Sequence, residues 1–377
     1  MMSDNFSILL VLKDREAYTI RLMSYLNEIR FPYPIIVADG GKDPETRSYY
    51  KIRDLLEDPR TWPRIRYDYR HYGYDRTLDD FHNKMSLAVE LIETPLVSVV
   101  DNDDFMFLKG IEDSIKFLKD NDEYSSTRGM IQLLRVGHDV VGELKIGDNM
   151  YKQYPDSIIA ETASSRMIEQ TKRFHGNWHN ITRSNHIKAC WKMLGISKPT
   201  NMRFTEQVTG YMNIIWGHGG RFEYPWLLHQ QGQRVSVEGG DLSSHFPAQE
   251  DWIKSDYWVE DFIKMSEIVG VAISERDGIP VGEAIELFNQ SYSFKLPHLK
   301  NILEKEIDKC REVGYNKDRV EKLRDIVQKC DIENISPIGE QLTSALSVSE
   351  ETDQMTKFLD IKYFSKVLAK LLGLQER

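Results

Sequence analysis

The stretch "TPLVSVVDNDDFMF", Thr94 to Phe107, decides how the chain reads. An apolar run from Leu96 to Val100 ends in Asp101, Asp103 and Asp104, and the chain turns apolar again at Phe105. Carboxylates packed this tightly repel one another, so either water screens them or something positive sits among them. Taken alone, a D-x-D-D after a strand is an exposed acidic turn. The segments on either side of it argue for a site.

Upstream, strands and helices alternate. "FSILLVL", Phe6 to Leu12, is a short continuous apolar run, as expected of a strand covered on both faces. Tyr18, Leu22, Tyr25 and Ile29 then repeat at helical spacing. "YPIIVADGG", Tyr33 to Gly41, is a second buried strand stopped by a Gly-Gly turn. "DPETRSYYKIRDLLED" opens with a proline suited to a first helical turn, and "RIRYDYR" offers a third strand. "TLDDFHNKMSLAVELIE" carries an apolar stripe of Phe81, Met85, Ala88 or Val89, and Ile92, and leads into the strand "PLVSVVD". Such alternation predicts an α/β fold, a Rossmann-like and mostly parallel sheet with helices on both faces. Ligands of open α/β sheets bind at the carboxyl ends of the strands. Asp39 and the three acids Asp101, Asp103 and Asp104 fall there, and a divalent cation carrying a phosphate ligand would offset their repulsion. Hard oxygen donors of this kind suit Mg²⁺ or Mn²⁺.

Downstream, residues 110–247 are less regular and rich in His, Trp, Asn and Gly. "RFHGNWHNITRSNHIKACWKML" joins an aromatic, polar loop to a helix. "TEQVTGYMNIIWGHGGRFEY" reads as a helix with Val208, Met212 and Ile215 on one face, followed by a strand. "LLHQQGQRVSVEGGDLSSHFP", Leu227 to Pro247, reads as a polar loop. From Asp251 the texture becomes helical. The division expected is a catalytic domain over 1–250 and a C-terminal helical region over 251–377.

Composition sets outer bounds. With 41% hydrophobic and 29% charged residues the chain is an ordinary soluble globular one. Its formal charge of −10 argues against a generic nucleic-acid binder. Cys190, Cys310 and Cys330 lack metal-type spacing and cannot all pair, which predicts buried thiols in a reducing compartment. The polar start and the short "SILLVL" give neither a signal peptide nor a membrane span. The expectation is a cytoplasmic protein, at most peripheral at the inner face of the membrane.

Together, "IIVADGGKD", "HNKMSLAVELIETPLVSVVDNDDF" and the later Glu-bearing helix resemble the family 2-like glycosyltransferases of the GT-A fold. The closest likeness is to the branch with a T-P-x-V-x-x-x-D-x-D-D-F pattern, over roughly Ser7 to Val237. The resemblance implies an inverting, metal-dependent transfer of a sugar from a nucleotide diphosphate donor, a UDP-sugar on family grounds, to a glycan or lipid-linked acceptor. It implies Asp103 as a metal ligand, joined by Asp101 and by His229. Asp101 also contacts the donor, with Asp104 acting similarly. Lys13, Asp14 and Arg15, in the turn after the first strand, approach the nucleotide. Asp39 meets its base, although the family has two adjacent acids where this chain has Ala38-Asp39. Lys84 and Arg234 are implied as cations reaching the diphosphate, Trp178 and His179 as acceptor contacts, and Glu206 as the general base.

Each residue has a plainer reading. Glu206 also suits a helix N-terminus, with Thr205 as its cap. Lys84 also suits a solvated helix face, and Trp178 a core. The amphipathic "FLDIKYFSKVLAKLL" suits packing on the catalytic domain, membrane-surface docking, or contact between copies in a homo-oligomer. Two rival functions stand beside the transferase. A nucleotidyltransferase would carry a Gly-rich phosphate loop, which "LVLKDREAY" lacks. A non-catalytic sugar-nucleotide-binding scaffold would not need the intact acidic triplet and Glu206.

Overall fold

The computed structural model describes residues 4–42, 52–136, 144–149, 156–172, 178–231, 258–295, 304, 307–308, 321, 355 and 357–371. The three apolar runs are the strands β1 (Phe6–Leu12), β2 (Ile35–Asp39) and β4 (Leu96–Asp101), buried along nearly their whole length. They pair in parallel, with Ile8 opposite both Ile35 and Ser98. β3 (Tyr67–His71) adds to the free side of β2, and its burial alternates between partly covered and exposed, as suits an edge. Between the strands run α1 (Glu16–Glu28), α2 (Ile52–Glu57) and α3 (Leu78–Ala88). A capping box opens α3: the Asp80 amide donates to Thr77 Oγ1, and the Thr77 amide donates back to Asp80.

The second half makes the sheet mixed. After β5 (Phe105–Met106) and α4 (Leu108–Asp120) comes β6 (Tyr124–Val136), a strand the sequence reading does not anticipate. β7 (Leu144–Asn149), α5 (Ala163–Lys172), β8 (Ile181–Arg183), α6 (Ser184–Ser197), α7 (Met202–Ile215) and β9 (His218–Gln231) follow. The nine strands run β3-β2-β1-β4-β8-β6-β9-β5, with β7 beside β6. β8 is antiparallel to β4 and β6, whereas β6 and β9 run parallel over a long register. Most of the registered pairing is therefore parallel, and the expected α/β sheet flanked by helices is what forms.

Alternate residues of the strands feed two cores. Leu9, Ile36, Val97 and Val99 join α3, α6 and α7, while Ile8, Leu10, Val37 and Val100 join α1 and α4. The first core also takes in α8 (Trp258–Asp277) and α9 (Val281–Lys295) through Trp258, Phe262, Phe288 and Tyr292. Tyr292 donates to Gln207 Oε1 at 2.7 Å, and buried Asp261 accepts the Thr200 amide and hydroxyl just before α7. On the other face α10 (Ile361–Leu371) follows Phe358, whose ring stands edge-on to Tyr25 at 5.9 Å. The described parts of 251–377 thus pack into both cores. Cys190 is buried as expected, while Cys310 and Cys330 lie outside the described residues. Among the described residues no helix is long and apolar enough to cross a membrane.

Candidate active site

Strand register brings the acidic residues together. Leu12 lies opposite Asp39 and Val11 opposite Asp101, so both acids end parallel strands on either side of β1. The turn after β1 is held in an unusual shape. Asp14 and Arg15 both take left-handed backbone angles, with φ of 55° and 60°. For residues carrying a Cβ this costs about 1–3 kcal/mol each, a strain that proteins tend to keep at functional positions. The Asp14 carboxylate accepts the Lys42 amide at 3.0 Å, tying this turn to the one after β2.

Positive charge does sit among the three carboxylates, and the chain supplies it. Arg15 Nη2 lies 2.9 Å from Asp103 Oδ2, and its guanidinium covers the Tyr18 ring at 4.3 Å. Burial pulls the Arg15 guanidinium down, but Asp103 outweighs it and the net shift is upward. Arg21, buried beneath the turn, donates to the Asp103 backbone carbonyl at 2.8 Å. Burial lowers Arg21 to about 10, still charged at neutral pH. Asp104 is wholly buried, and its partners come from β9. Because Phe105 pairs with Leu228 in antiparallel fashion, the preceding Asp104 meets His229, whose Nδ1–H donates at 3.0 Å, and the Gln230 amide at 3.2 Å. Asp104 pushes His229 up to about 9 against the effect of burial. Burial works to raise Asp104, and His229 outweighs it to hold that carboxyl below its usual value. Asp101 keeps 39% of its side chain in solvent. Loss of the remaining hydration, opposed by His179 and reinforced by Asp103, pushes it up to about 6.

His179 shows why a further cation fits. Its Nδ1 lies 3.2 Å from the Val99 carbonyl, which can only accept, so Nδ1 carries the proton. Nε2 then faces Asp104 Oδ2 at 3.3 Å and Asp101 Oδ2 at 3.8 Å. A metal ion bound there would have an imidazole nitrogen beside two carboxylates. Ligand atoms of Asp101, Asp103 and Asp104 lie within 4.8 Å of one another, as do those of Asp104, His179 and His229. Carboxylate oxygens bordered by imidazole nitrogen fit Mn²⁺ or Mg²⁺, with the nitrogen favouring the former.

Beside the cluster, a pocket between β1 and β2 is lined by Leu12, Asp14, Asp39, Gly41, Ile52 and Arg53. Asp39 accepts the Gly41 amide at 2.7 Å and the Tyr69 hydroxyl at 2.8 Å, so its carboxylate is fixed at the pocket wall. Burial and Asp39 raise the Tyr69 hydroxyl, keeping it a donor. Lys84 is buried, pairs with Asp75 and donates to the Leu12 carbonyl at 2.9 Å. The Asp75 carboxylate fills the space where a Cβ on Gly40 would stand, which explains the glycine directly after Asp39. Lys84 therefore braces the turns after β1 and β2, through the Leu12 carbonyl and through Asp75.

The other sequence-predicted residues divide. Trp178 donates its indole N–H to Asp101 at 3.3 Å and stacks on Phe81 at 6.5 Å, so Trp178 and His179 both touch the acidic cluster. Lys13 is buried, with its ammonium 5.2 Å from the centre of the Tyr74 ring. Glu206 is exposed on α7. Thr205 is not the cap of that helix: Asn201 caps it by accepting the Arg203 amide at 2.8 Å. Thr205 lies one turn in and bonds His82 at 2.9 Å. Nor is Leu227–Gln231 loop; it completes β9, and pairing with β5 and β6 is what places His229. Arg234 lies outside the described residues. Sequence reasoning missed Arg21, Tyr69 and Asp75, whose only local signal was membership of a helix, an edge strand and a turn.

No family model matches the chain, and no curated protein matches it. Among solved structures it is similar to TarS of S. aureus. TarS 1–349 in complex with UDP-GlcNAc aligns at 14% identity and a TM-score of 0.48, over 99% of this chain and 93% of that one. The same fragment in complex with UDP aligns at 14% identity and a TM-score of 0.44, with equal coverage. A longer TarS chain aligns at 15% identity and a TM-score of 0.46, over 86% of this chain and 53% of that one, so this chain spans about half its length.

Proposed function

We propose that the protein is a GT-A-type glycosyltransferase that moves a sugar from a nucleotide diphosphate donor to a glycan or lipid-linked acceptor. The observation that carries the reading is the juxtaposition of Asp101, Asp103 and His179 with the Asp39 pocket at the carboxyl ends of β1, β2 and β4. A nucleotide held in that pocket extends its diphosphate toward the carboxylates. The motif resemblance favours UDP as the nucleotide.

In this reading Asp39, fixed by Tyr69 and the Gly41 amide, orients the base. Lys13, Asp14 and Arg15 border the diphosphate. Asp101 and Asp103, with His179 or His229, would hold Mn²⁺ or Mg²⁺, which when bound supplies charge neutralisation for the leaving diphosphate. Glu206 takes the proton of the attacking acceptor hydroxyl from the side opposite the diphosphate, giving an inverted linkage.

The test is a mass-spectrometric screen of nucleotide sugars for hydrolysis and transfer, followed by Glu206→Gln. That variant keeps donor binding and loses transfer by about 10²–10⁴-fold, the range for a missing general base. Proton NMR of the fresh product reads the linkage. No turnover of any nucleotide sugar overturns the function, and a retained anomeric configuration overturns the single-displacement mechanism.

A further inference from the structure

The acidic cluster carries its own occupant. Asp103, which the motif resemblance implies as a metal ligand, is already engaged by Arg15 at 2.9 Å, and both side chains are largely withdrawn from solvent. Its neighbours have separate supports: Asp104 is held by His229 and the Gln230 amide, and Asp101 by the Trp178 indole. The position of Asp103 does not depend on Arg15, because Arg21 fixes its carbonyl at 2.8 Å and Asn102 is bound to Thr19 Oγ1 at 3.0 Å. The Arg15 guanidinium, by contrast, is attached only by its side chain to a turn of two successive left-handed residues, and it rests on the face of Tyr18.

From this we infer that Arg15 is a resident counter-ion that competes with a divalent cation for Asp103, and so sets how tightly the site takes metal before donor arrives. Two cations cannot share a carboxylate at contact distance without repelling, so metal entry through the open Asp101 side moves the guanidinium off Asp103. The Tyr18 face and the bordering diphosphate site lie within its reach. The competition keeps the site charge-balanced in the absence of metal and makes metal and anionic donor arrive together. This inference rests on the metal site of the proposed function, and not on the transfer chemistry.

Electron paramagnetic resonance titration of the full chain with Mn²⁺ alone, without nucleotide, tests it. Arg15→Ala and Arg15→Gln bind Mn²⁺ at least about tenfold more tightly than the parent, the lower end of what a charge-assisted hydrogen bond contributes. Asp103→Asn abolishes the gain in combination with either. Thermal melts by circular dichroism confirm that each variant is folded, and Arg15→Gln serves if Arg15→Ala is not. Unchanged or weaker Mn²⁺ binding in a folded Arg15 variant overturns the inference, as does absence of Mn²⁺ binding from every form. Tighter Mn²⁺ binding with no nucleotide sugar turned over leaves the inference standing and removes the proposed function. Turnover of donor with unchanged Mn²⁺ affinity does the reverse.

Discussion

His229 and Asp104 illustrate how a single contact governs charge at the residue scale. The folded chain holds the His229 proton to about pH 9, whereas an unperturbed histidine, at 6.5, releases it much earlier. Between those values the folded state binds more protons than the unfolded one, so stability falls as pH rises. The contribution is fully present below 6.5, is lost on passing through about 9, and amounts to at most about 3 kcal/mol. Urea denaturation of metal-free protein at about pH 6 and about pH 9.5 reads it. His229→Gln flattens this slope, and an unchanged slope would move the alkaline loss to another group. Buried His82 works in the opposite direction. Desolvation lowers it to about 3, so its contribution is full above 6.5 and is lost as pH falls toward 3.

Among the elements, α7 carries Glu206 and is anchored at both ends by residues of other helices. At its start, Asp261 of α8 binds Thr200, next to the capping Asn201. At its end, Arg166 of α5 donates to the Ile214 and Ile215 carbonyls, each at 2.7 Å, and also to Ala160 and Glu161 at 2.9 and 2.7 Å. Helix C-terminal carbonyls have no partner within the helix, so these bonds complete it. Arg166→Ala strands several buried acceptors and costs about 3 kcal/mol or more, read as a lowered urea midpoint. Lysine restores little of this, because it lacks the planar fork that spans the two carbonyls. A midpoint unchanged in Arg166→Ala would show that water serves those carbonyls equally well.

Considered as a whole molecule, the sheet needs cover on both faces, and the C-terminal helices provide part of it. Trp258, Phe262, Phe288 and Tyr292 each lie fully within the core shared with α3, α6 and α7. Burial of side chains this size contributes about 1.5–3 kcal/mol apiece, so the four together rival the net stability of a typical domain. A chain ending at Glu250 is expected to show no cooperative thermal transition and to be digested rapidly by protease. A truncated chain that melts cooperatively and still hydrolyses donor would show these helices to be dispensable.

Strand–helix alternation and the placement of Asp39 and Asp101 to Asp104 at strand ends were legible in the sequence. Run length and period are local properties of the chain, and they fix what each segment can bury. The buried strand β6 was not legible, because "YSSTRG" within it is polar. Its Ser125 and Ser126 are tolerated inside because both hydroxyls bond the Asn213 carbonyl of α7, with the His218 carbonyl and the Asn180 amide as further partners. Nor could sequence place His229 against Asp104, 125 positions apart, or Arg21 beneath Asp103, 82 positions apart. Antiparallel register between β5 and β9 decides the first contact, and helix packing on the sheet decides the second. The sequence by itself determined where acid collects. Only the tertiary structure decided which cation answers each carboxylate, because charge pairing depends on distances in space that no local pattern encodes.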